Sequence, residues 1–267
     1  EGVKIQEILE RIKYFELPFH KTTSLASSPS LLSNGWSLQA SDGDRDMILQ
    51  RRAIMEKQFT NNLTSVAFCS GPIENADLLT CISLVRESQL GALAGDLHFW
   101  NVKQLTPTCR QVHYCSNFPP PMDKRDFCIL EHCGVLDDDS LVLVNYNATD
   151  GIIHSIFDTP NHKEQLKRFN ESPFIHGTVF YSVYQFKKLD ENTIQLNRYF
   201  NIDMKLPWLL PRFMSDKALT GVFKENIDWI RENLKQYKQV DTLPESYQQV
   251  IQSDPLYSLI KDWIGTH

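Results

Sequence analysis

The segment KLPWLLPRFMSDKALTGVFKENIDWIRENLKQY, residues 205–237, decides how the rest of the chain folds. Pro207 and Pro211 prevent a regular helix at its start, because proline cannot donate a backbone hydrogen bond and its ring clashes with the preceding turn. Ser215 then suits a helix N-cap, and Asp216 lies where the helix dipole favours an anion. Apolar residues follow at the spacing of one helical face: Leu219, Val222, Phe223, Ile227, Ile230 and Leu234. The segment predicts a C-terminal helix of about 23 residues, roughly 35 Å long.

Most of the chain before this helix alternates between apolar and polar residues, as strands do. Clusters of turn residues separate the alternating runs, for example Asp137 to Asp139 and Asp190 to Asn192. Connections this short favour antiparallel pairing of consecutive strands. The predicted strands span residues 35–38, 46–55, 63–69, 99–105, 108–115, 125–134, 140–147, 174–187 and 193–204.

Two helical pieces interrupt the strands. Ala76 to Arg86 has an apolar stripe and is predicted as a helix, and a second short helix is predicted through Leu90 to Leu97. An antiparallel sheet must bury one face, and only the C-terminal helix is long enough to cover it. We therefore expect an α+β helix-grip fold, in which a curved antiparallel sheet of about nine strands wraps around the long helix. A cavity is expected between them, because the side chains of a strongly bent sheet cannot fill its centre.

The same patterns divide the chain into three parts. Residues 1–34 hold a short amphipathic helix and a Ser-rich loop, residues 35–238 hold the predicted binding domain, and residues 239–267 form a helical extension. The extension has an apolar face of its own, formed by Leu256, Leu259, Ile260, Trp263 and Ile264. We expect this face to dock on the domain, with docking on a partner as the alternative.

Composition and motifs exclude several classes of function. The chain has 267 residues, 42% of them hydrophobic, which is enough for one substantial core, and its net charge of -6 argues against a nucleic-acid partner. Six cysteines fall singly in apolar segments and predict free, buried thiols in a cytoplasmic protein. No run of roughly 18 apolar residues is present to span a bilayer. Because the motifs for metal ligands, cofactors and catalytic groups do not occur, we expect no metal, no cofactor and no catalytic residue.

Three stretches of the chain resemble the START domains, the StAR-related lipid-transfer modules. Phe118 to Phe127, FPPPMDKRDF, is similar to the Pro- and Met-rich turn of that family and its Arg-Asp-Phe strand entry. Asp96 to Lys103, DLHFWNVK, resembles the aspartate and tryptophan segment that leads into the family's fourth strand. Leu206-Pro207-Trp208 before a long helix is similar to the way that fold closes. The likeness spans roughly residues 36–237.

The resemblance implies that the chain binds one lipid in an apolar tunnel and transfers or senses it, without catalysing a reaction. Phospholipids, sterols and sphingolipids are the implied ligands, and a membrane surface is the implied transient partner. Each methylene group removed from water contributes about 0.8 kcal/mol, so a dry tunnel can hold a lipid chain tightly. Sterol-binding members have an arginine where this chain has Glu131, which makes a sterol less favoured. We expect a monomer in the cytoplasm that also associates peripherally with membranes.

The candidate ligand-binding residues lie on two neighbouring strands and on the closing segment. Those on the strands are Gln111, His113, Arg125, Phe127, Ile129 and Glu131, and those on the closing segment and helix are Trp208, Leu209, Leu219 and Phe223. Strand alternation puts Phe127 and Glu131 on one face of their strand. If the face of the preceding strand that carries His113 also points inward, His113 and Glu131 meet at the polar end of the tunnel. The alternative is that either residue faces solvent on an edge.

Two other classes of function stay open at this point. A helix-grip enzyme of the cyclase or hydrolase type, acting on a hydrophobic small molecule, would place His113 and Glu131 within hydrogen-bond reach beside an open pocket. A protein-interaction module without ligand would fill the tunnel with side chains and use residues 255–264 for assembly.

A basic stretch lies in the long connection between two predicted strands. Asn161 to Phe169 contains Lys163, Lys167 and Arg168, diluted by Glu164. We expect a solvated short helix here, with contact to anionic lipid head groups as the alternative.

Overall fold

The computed structural model describes residues 36–41, 47–52, 65–75, 77–91, 95–117, 123–136, 140–148, 159–205 and 227–266. Within these ranges ten strands form a single sheet. The strands are β1 (Trp36–Ser41), β2 (Met47–Arg52), β3 (Ser65–Glu74), β4 (Leu97–Thr106), β5 (Cys109–Ser116), β6 (Arg125–Val135), β7 (Leu141–Asn147), β8 (Ile175–His176), β9 (Thr178–Lys188) and β10 (Thr193–Asp203).

Nine of these strands follow one antiparallel path, in the order β1, β2, β3, β10, β9, β7, β6, β5 and β4. The two-residue strand β8 pairs with β6 in parallel. Strand β10 lies between β3 and β9, so the last strand joins the N-terminal strands to the rest of the sheet. The predicted α+β helix-grip class, with its antiparallel sheet of about nine strands, is confirmed.

The sheet is curled, so that strands far apart along the path face each other. Four steps separate β10 from β5, about 19 Å in a flat sheet at ~4.8 Å per strand. Val112 of β5 belongs to the same apolar cluster as Val179 of β9, and Ile202 of β10, which is paired with Val179, packs against that cluster. Burial raises the pKa of the Tyr114 phenol in β5, Tyr184 raises it further, and the charge of Arg198 in β10 acts in the opposite direction. The cluster and the charge effect both indicate that the two limbs of the sheet bend toward one another.

Five helices surround the sheet within the described ranges. They are α1 (Leu78–Arg86), α2 (Pro160–Asn170), α3 (described over residues 227–236), α4 (Glu245–Ser253) and α5 (Pro255–Thr266). Helix α1 begins at the N-cap Asp77, whose Oδ2 accepts a hydrogen bond from Thr80 N at 2.9 Å. Helix α2 begins at the N-cap Thr159 and has a proline in its first turn, where a missing N–H costs nothing.

The main core lies between one face of the sheet and helices α1, α3, α4 and α5. Ile227, Ile230 and Leu234 of α3 are buried in it, so the described part of the C-terminal helix packs with the apolar face predicted from the sequence. The sheet contributes Cys133, Leu141, Leu143, Phe186, Ile194 and Leu196. We call this face of the sheet the concave face and the opposite face, which carries α2, the convex face.

The C-terminal extension docks on the domain, as expected from its apolar face. Leu256, Tyr257 and Ile260 are buried in the same core as the sheet and α1, and Trp263 packs against it. Leu259, at the border of that face, is 46% exposed. Whether residue 239 marks a domain boundary stays a prediction.

Two predicted elements differ from the structure. The short helix predicted through Leu90 to Leu97 is wrong at its ends, because a 3-10 turn ends at Leu90 and β4 begins at Leu97. Glycines 91 and 95 in that stretch have poor helix propensity, which the apolar pattern outweighed in the prediction. The single strand predicted over residues 174–187 is divided into β8 and β9 around Gly177.

The basic stretch is a helix, α2, but it is not solvated on all sides. Its inward face, formed by His162, Gln165, Leu166 and Phe169, is buried against the convex face of the sheet. Lys167 and Arg168 are exposed and lie near Glu171 and Glu164 respectively, one helical turn away. These pairs offset much of the positive charge that α2 presents to solvent.

Candidate functional site

The pairing of β5 with β6 decides which predicted site residues share a face. Arg110 lies opposite Glu131, Val112 opposite Ile129, and Tyr114 opposite Phe127, and these three pairs all point to the concave face. Since neighbouring residues of a strand point to opposite sides, Gln111 and His113 belong to the convex face. The structure therefore does not bring His113 and Glu131 together, and the proposed polar end of the tunnel is not built from this pair. Alternation correctly divided the residues of each strand between its two faces. Only the pairing register shows which face of β5 lies on the same side of the sheet as a given face of β6.

On the convex face, His113 and Gln111 are held under α2. The Nε2 of His113 donates to Asp126 Oδ2 at 3.1 Å, while His176 Nδ1 donates to the other carboxylate oxygen at 2.7 Å. The amide oxygen of Gln111 lies 3.1 Å from His162 Nδ1 of α2. His113 and Gln111, which were predicted to contact the ligand, thus bond to groups that lie between the sheet and α2.

Asp126 is the centre of this junction, and its side chain is fully buried. Burial alone would raise the pKa of its carboxyl group, but hydrogen bonds from His113, His176 and Ser172 more than offset this, so the pKa lies below its ordinary value. A carboxylate in this state stabilises the fold only while it is ionised.

Replacing Asp126 by asparagine is expected to lower the free energy of unfolding by about 1–3 kcal/mol at neutral pH, because an amide cannot accept both imidazole hydrogen bonds. The lowered folded-state pKa means that this stabilisation is present above the unfolded pKa of about 4 and is lost as the pH falls through the folded value. The difference between wild type and Asp126→Asn, measured by urea unfolding from pH 7 to pH 3, should therefore shrink in acid. The exposed Asp228→Asn variant is the control and should show little difference at any pH. A constant difference across this pH range would contradict the conclusion that the ionised carboxylate of Asp126 stabilises the fold.

Glu131 belongs to a buried charge network on the concave face. The network consists of Arg86, Glu87, Arg110, Glu131, Asp254 and Tyr257. Arg86 Nε donates to Glu131 Oε1 at 2.9 Å, and Arg86 Nη1 donates to Asp254 Oδ2 at 2.6 Å. The network joins α1, β5, β6 and the start of α5, so Glu131 is used to connect the extension to the domain.

Arg125 is anchored by backbone carbonyl groups. Its Nε donates to Met204 O at 3.2 Å, its Nη2 to Lys205 O at 3.5 Å, and its Nη1 to Asp123 O. These bonds fix the point where the chain leaves β10 toward the closing segment. The predicted candidates Trp208, Leu209, Leu219 and Phe223 follow that point and lie outside the described residues.

Phe127 and Ile129 lie on the concave face among aromatic and aliphatic side chains. The rings of Trp100, Tyr114 and Phe127 pack side by side across β4, β5 and β6, with centroid separations of 5.1 and 5.2 Å. The rings are surrounded by aliphatic side chains, those of Val112, Ile129, Val179 and Ile202. An irregularity in the pairing of β9 with β10 brings Val179 opposite Ile202. The buried residues of this apolar cluster are distinct from those of the main core, and Ile202 packs against both. The cluster lies on the concave face.

Polar side chains that were not among the predicted site residues border the apolar cluster. Asn145 of β7 lies opposite both Glu131 and Ser182, and Tyr184 of β9 lies opposite Arg198 of β10, so all of them belong to the concave face. The guanidinium group of Arg198 lies over the Tyr184 ring, 4.7 Å from its centroid. The sequence contains one signal for these polar residues: Arg198 occupies a position of β10 at which alternation predicts an inward-facing apolar side chain.

The described residues also form two surface cavities beside the extension. One, of about 480 Å³, is lined by Asp77, Leu79, Val240, Ile251 and Lys261 among others, and the second, of about 670 Å³, by Glu74, Glu191, Arg231, Lys235 and Lys238 among others. Neither borders a predicted site residue, and both have mixed charge. The concave face is the candidate site, because it carries the apolar cluster.

The predicted thiols are confirmed for the described cysteine side chains. Cys81, Cys115, Cys128 and Cys133 are free and buried, and Cys109 is buried and forms no disulfide bond. Burial raises the pKa of Cys128 and of Cys133 to about 12, which keeps both protonated and unreactive at neutral pH. In the described ranges no cluster of three or more His, Cys, Asp and Glu side chains is arranged to hold a metal ion. Nor does that part of the chain contain a helix with the length and apolar character needed to cross a bilayer.

The fold is shared with solved lipid-transfer domains. Human StAR-related lipid transfer protein 5 superposes with a TM-score of 0.60 at 13% identity, over 90% of this chain and 100% of the other. For the lipid transfer and protein localization domain of human StarD13 the TM-score is 0.54 at 16% identity, over 87% of this chain and 96% of the other. For human STARD10 the TM-score is 0.51 at 14% identity, over 82% of this chain and 86% of the other. No family model and no curated protein sequence matches the chain. At these identities the likeness establishes a START-like fold.

Proposed function

We propose that this chain binds one lipid on the concave face of its sheet and transfers it between membranes or senses it. The observation that carries the proposal is the apolar cluster around Trp100, Tyr114 and Phe127, set on the inner side of a curled sheet. Burying a hydrocarbon chain against such a surface stabilises the complex by about 25 cal/mol for each Å² removed from water. The START-like fold supports the same conclusion, since the similar structures include proteins named for lipid transfer.

The proposed activity is non-covalent. An enzyme of this fold class would need an acid or base beside the ligand, and the pair considered for that role is divided between the two faces of the sheet. Glu131 is bonded to Arg86, and His113 to Asp126. The fully buried thiols fit a reducing compartment, so we place the protein in the cytoplasm, with a membrane surface as its transient partner.

Lipid recovery tests the proposal directly. The protein is purified from cells, analysed by native mass spectrometry and extracted for lipid, and its transfer of a fluorescent lipid between vesicles is then measured. We expect one bound lipid per chain and a transfer rate above the protein-free rate. Ser182→Trp adds an indole to the concave face and should lower recovery and transfer by about tenfold, whereas Leu259→Trp, on the exposed side of α5, should change neither. Absence of both bound lipid and transfer in the wild type would refute lipid binding.

A further inference from the structure

The interface between α2 and the convex face of the sheet contains buried polar atoms that are not paired within the described part of the chain. Gln165 of α2 is 1% exposed, and neither its amide nitrogen Nε2 nor its amide oxygen Oε1 has a hydrogen-bond partner there. His113 of β5 is 3% exposed, and its Nδ1 is also buried and unpaired. Buried polar groups in proteins are normally paired, because an unpaired group has lost its bonds to bulk water and gained none in return.

Contacts on either side of Gln165 along α2 show that its side chain points to the sheet. One turn before it, His162 Nδ1 lies 3.1 Å from Gln111 Oε1 of β5. One turn after it, the ring of Phe169 packs against the ring of His113, with 5.4 Å between the ring centroids. Residues three and four apart lie on the same face of a helix, so Gln165 shares the inward face of α2 with these two contacts. Its amide group is therefore enclosed between helix and sheet.

Gln111 provides a contrast within the same interface. Its Nε2 donates to Cys128 Sγ at 3.1 Å, and its Oε1 accepts from His162 Nδ1 at 3.1 Å. It is fully buried, like Gln165, but protein groups pair both ends of its amide. Gln165 has the same functional group at a similar depth and requires a partner that the described residues do not supply.

The tautomer of His113 shows what kind of partner its unpaired nitrogen requires. Nε2 donates to Asp126 Oδ2 at 3.1 Å, so Nδ1 of the same ring carries no proton and is a hydrogen-bond acceptor. The rings of Phe99 and Phe169 pack edge-on against the imidazole, with centroid separations of 4.8 and 5.4 Å. These carbon rings have no donor to offer, so Nδ1 requires a small donor from outside the chain.

Water is the molecule that matches these groups. The amide of Gln165 requires an acceptor for its N–H groups and a donor for its oxygen, and His113 requires a donor. Water supplies donors and acceptors in the smallest volume, and buried waters in proteins typically make about three hydrogen bonds to groups of this kind. An ion matches less well, because the amide presents a donor and an acceptor together and carries no charge.

We propose that ordered water is bound between α2 and the convex face, at the amide group of Gln165 and at Nδ1 of His113. The site lies on the opposite side of the sheet from the proposed lipid site, so it does not depend on lipid binding. The water completes the hydrogen bonding of the interface, and α2 is docked through water-mediated bonds in addition to the packing of Leu166 and Phe169.

A crystal structure of the whole chain that shows ordered solvent tests the proposal. We expect a water oxygen within about 3.2 Å of Gln165 Nε2 or Oε1, and one within about 3.2 Å of His113 Nδ1. In Gln165→Met the thioether is only a weak acceptor and no donor, so the water at position 165 should be lost. Lys167→Met, on the exposed side of the same helix, should retain it. A direct hydrogen bond from Gln165 to His113 or to another protein group, or an interface without water, overturns the proposal.

Nuclear Overhauser effects between water and side-chain amide protons provide the same test in solution. The amide protons of Gln165 should show an effect with the sign that bound water gives, and this signal should be lost in Gln165→Met. Gln111 is the matched control, because its equally buried amide is bonded to Cys128 and should show no effect from water. The absence of a water signal at both glutamines in the wild type contradicts the proposal. The wild-type measurements decide the question even if Gln165→Met does not fold.

Discussion

Replacing Arg110 by methionine is expected to lower the free energy of unfolding by about 3–5 kcal/mol, because the buried carboxylates of Glu87 and Glu131 then share one cation, Arg86, in place of two. Arg110 Nη1 donates to both oxygens of Glu87, at 3.0 and 2.9 Å, and its Nη2 donates to Arg86 O at 2.7 Å. Its Nε lies 2.6 Å from Glu131 Oε1. Burial would raise the pKa of Glu87, yet Arg110 and Arg86 lower it below its ordinary value. Without Arg110, burial would raise the pKa of Glu87 with less opposition, and the ionised carboxylate would be less stable.

Urea unfolding at neutral pH, followed by circular dichroism, measures this loss. The control is Arg168→Met, which breaks the pair with Glu164 on the exposed side of α2. Surface pairs of this kind contribute about 0–1 kcal/mol, so the control should be close to wild type. A loss of less than about 1 kcal/mol in Arg110→Met would mean that water reaches the network and solvates its charges.

The same variant should loosen the C-terminal extension before the sheet. Tyr257 donates to Glu87 Oε1 at 3.0 Å and Asp254 accepts from Arg86, so α5 is attached through the network as well as through its apolar face. Hydrogen exchange of α4 and α5 should therefore increase more than that of β7 and β9. Equal protection in wild type and variant would show that the apolar contacts alone hold the extension.

Much of the fold could be predicted from local patterns. Alternation located most of the strands, and the three-and-four spacing of Ile227, Ile230 and Leu234 correctly identified the face of α3 that is buried. The order β3, β10, β9 could not be read in this way, because it joins residues more than a hundred positions apart. The local sequence does not determine which distant strands pair. That pairing depends on the register and on the apolar surface that the whole sheet buries.

The candidate site was harder to predict than the fold. Phe127 and Ile129 were placed on the face that the structure makes concave, but His113 was assigned to the same cavity although it lies behind the sheet. Glu131 was taken as a ligand contact because its partner Arg86 is 45 residues away and no motif links them. Arg198 was missed although it interrupts the apolar positions of β10, because alternation along one strand does not show which face of the sheet is the inner one.

Replacing Gly177 by alanine is expected to destabilise the protein by about 1–3 kcal/mol and to disturb the lipid site, because a β-carbon has no room there. A Cβ at this position would lie 2.7 Å from Phe127 Cδ1, 2.6 Å from Phe127 Cζ and closer still to Cε1. The backbone cannot move away easily, since Gly177 N donates to Asp126 O at 2.9 Å. Phe127 must shift instead, and it stacks on Tyr114 in the apolar cluster.

A second substitution shows whether this contact is the cause. Phe127→Leu removes the ring atoms that the new methyl group would meet, so the double variant Gly177→Ala with Phe127→Leu should be more stable than the sum of the two single changes predicts. Gly95→Ala is the matched control, because its Cβ would meet nothing within 4 Å. Restricting the unfolded chain makes that control neutral or slightly stabilising, by about 0.4–1 kcal/mol at a compatible site. Additive effects at positions 177 and 127 would show that the cost arises elsewhere, and the aromatic packing proposed for the lipid site would then be incorrect at Phe127.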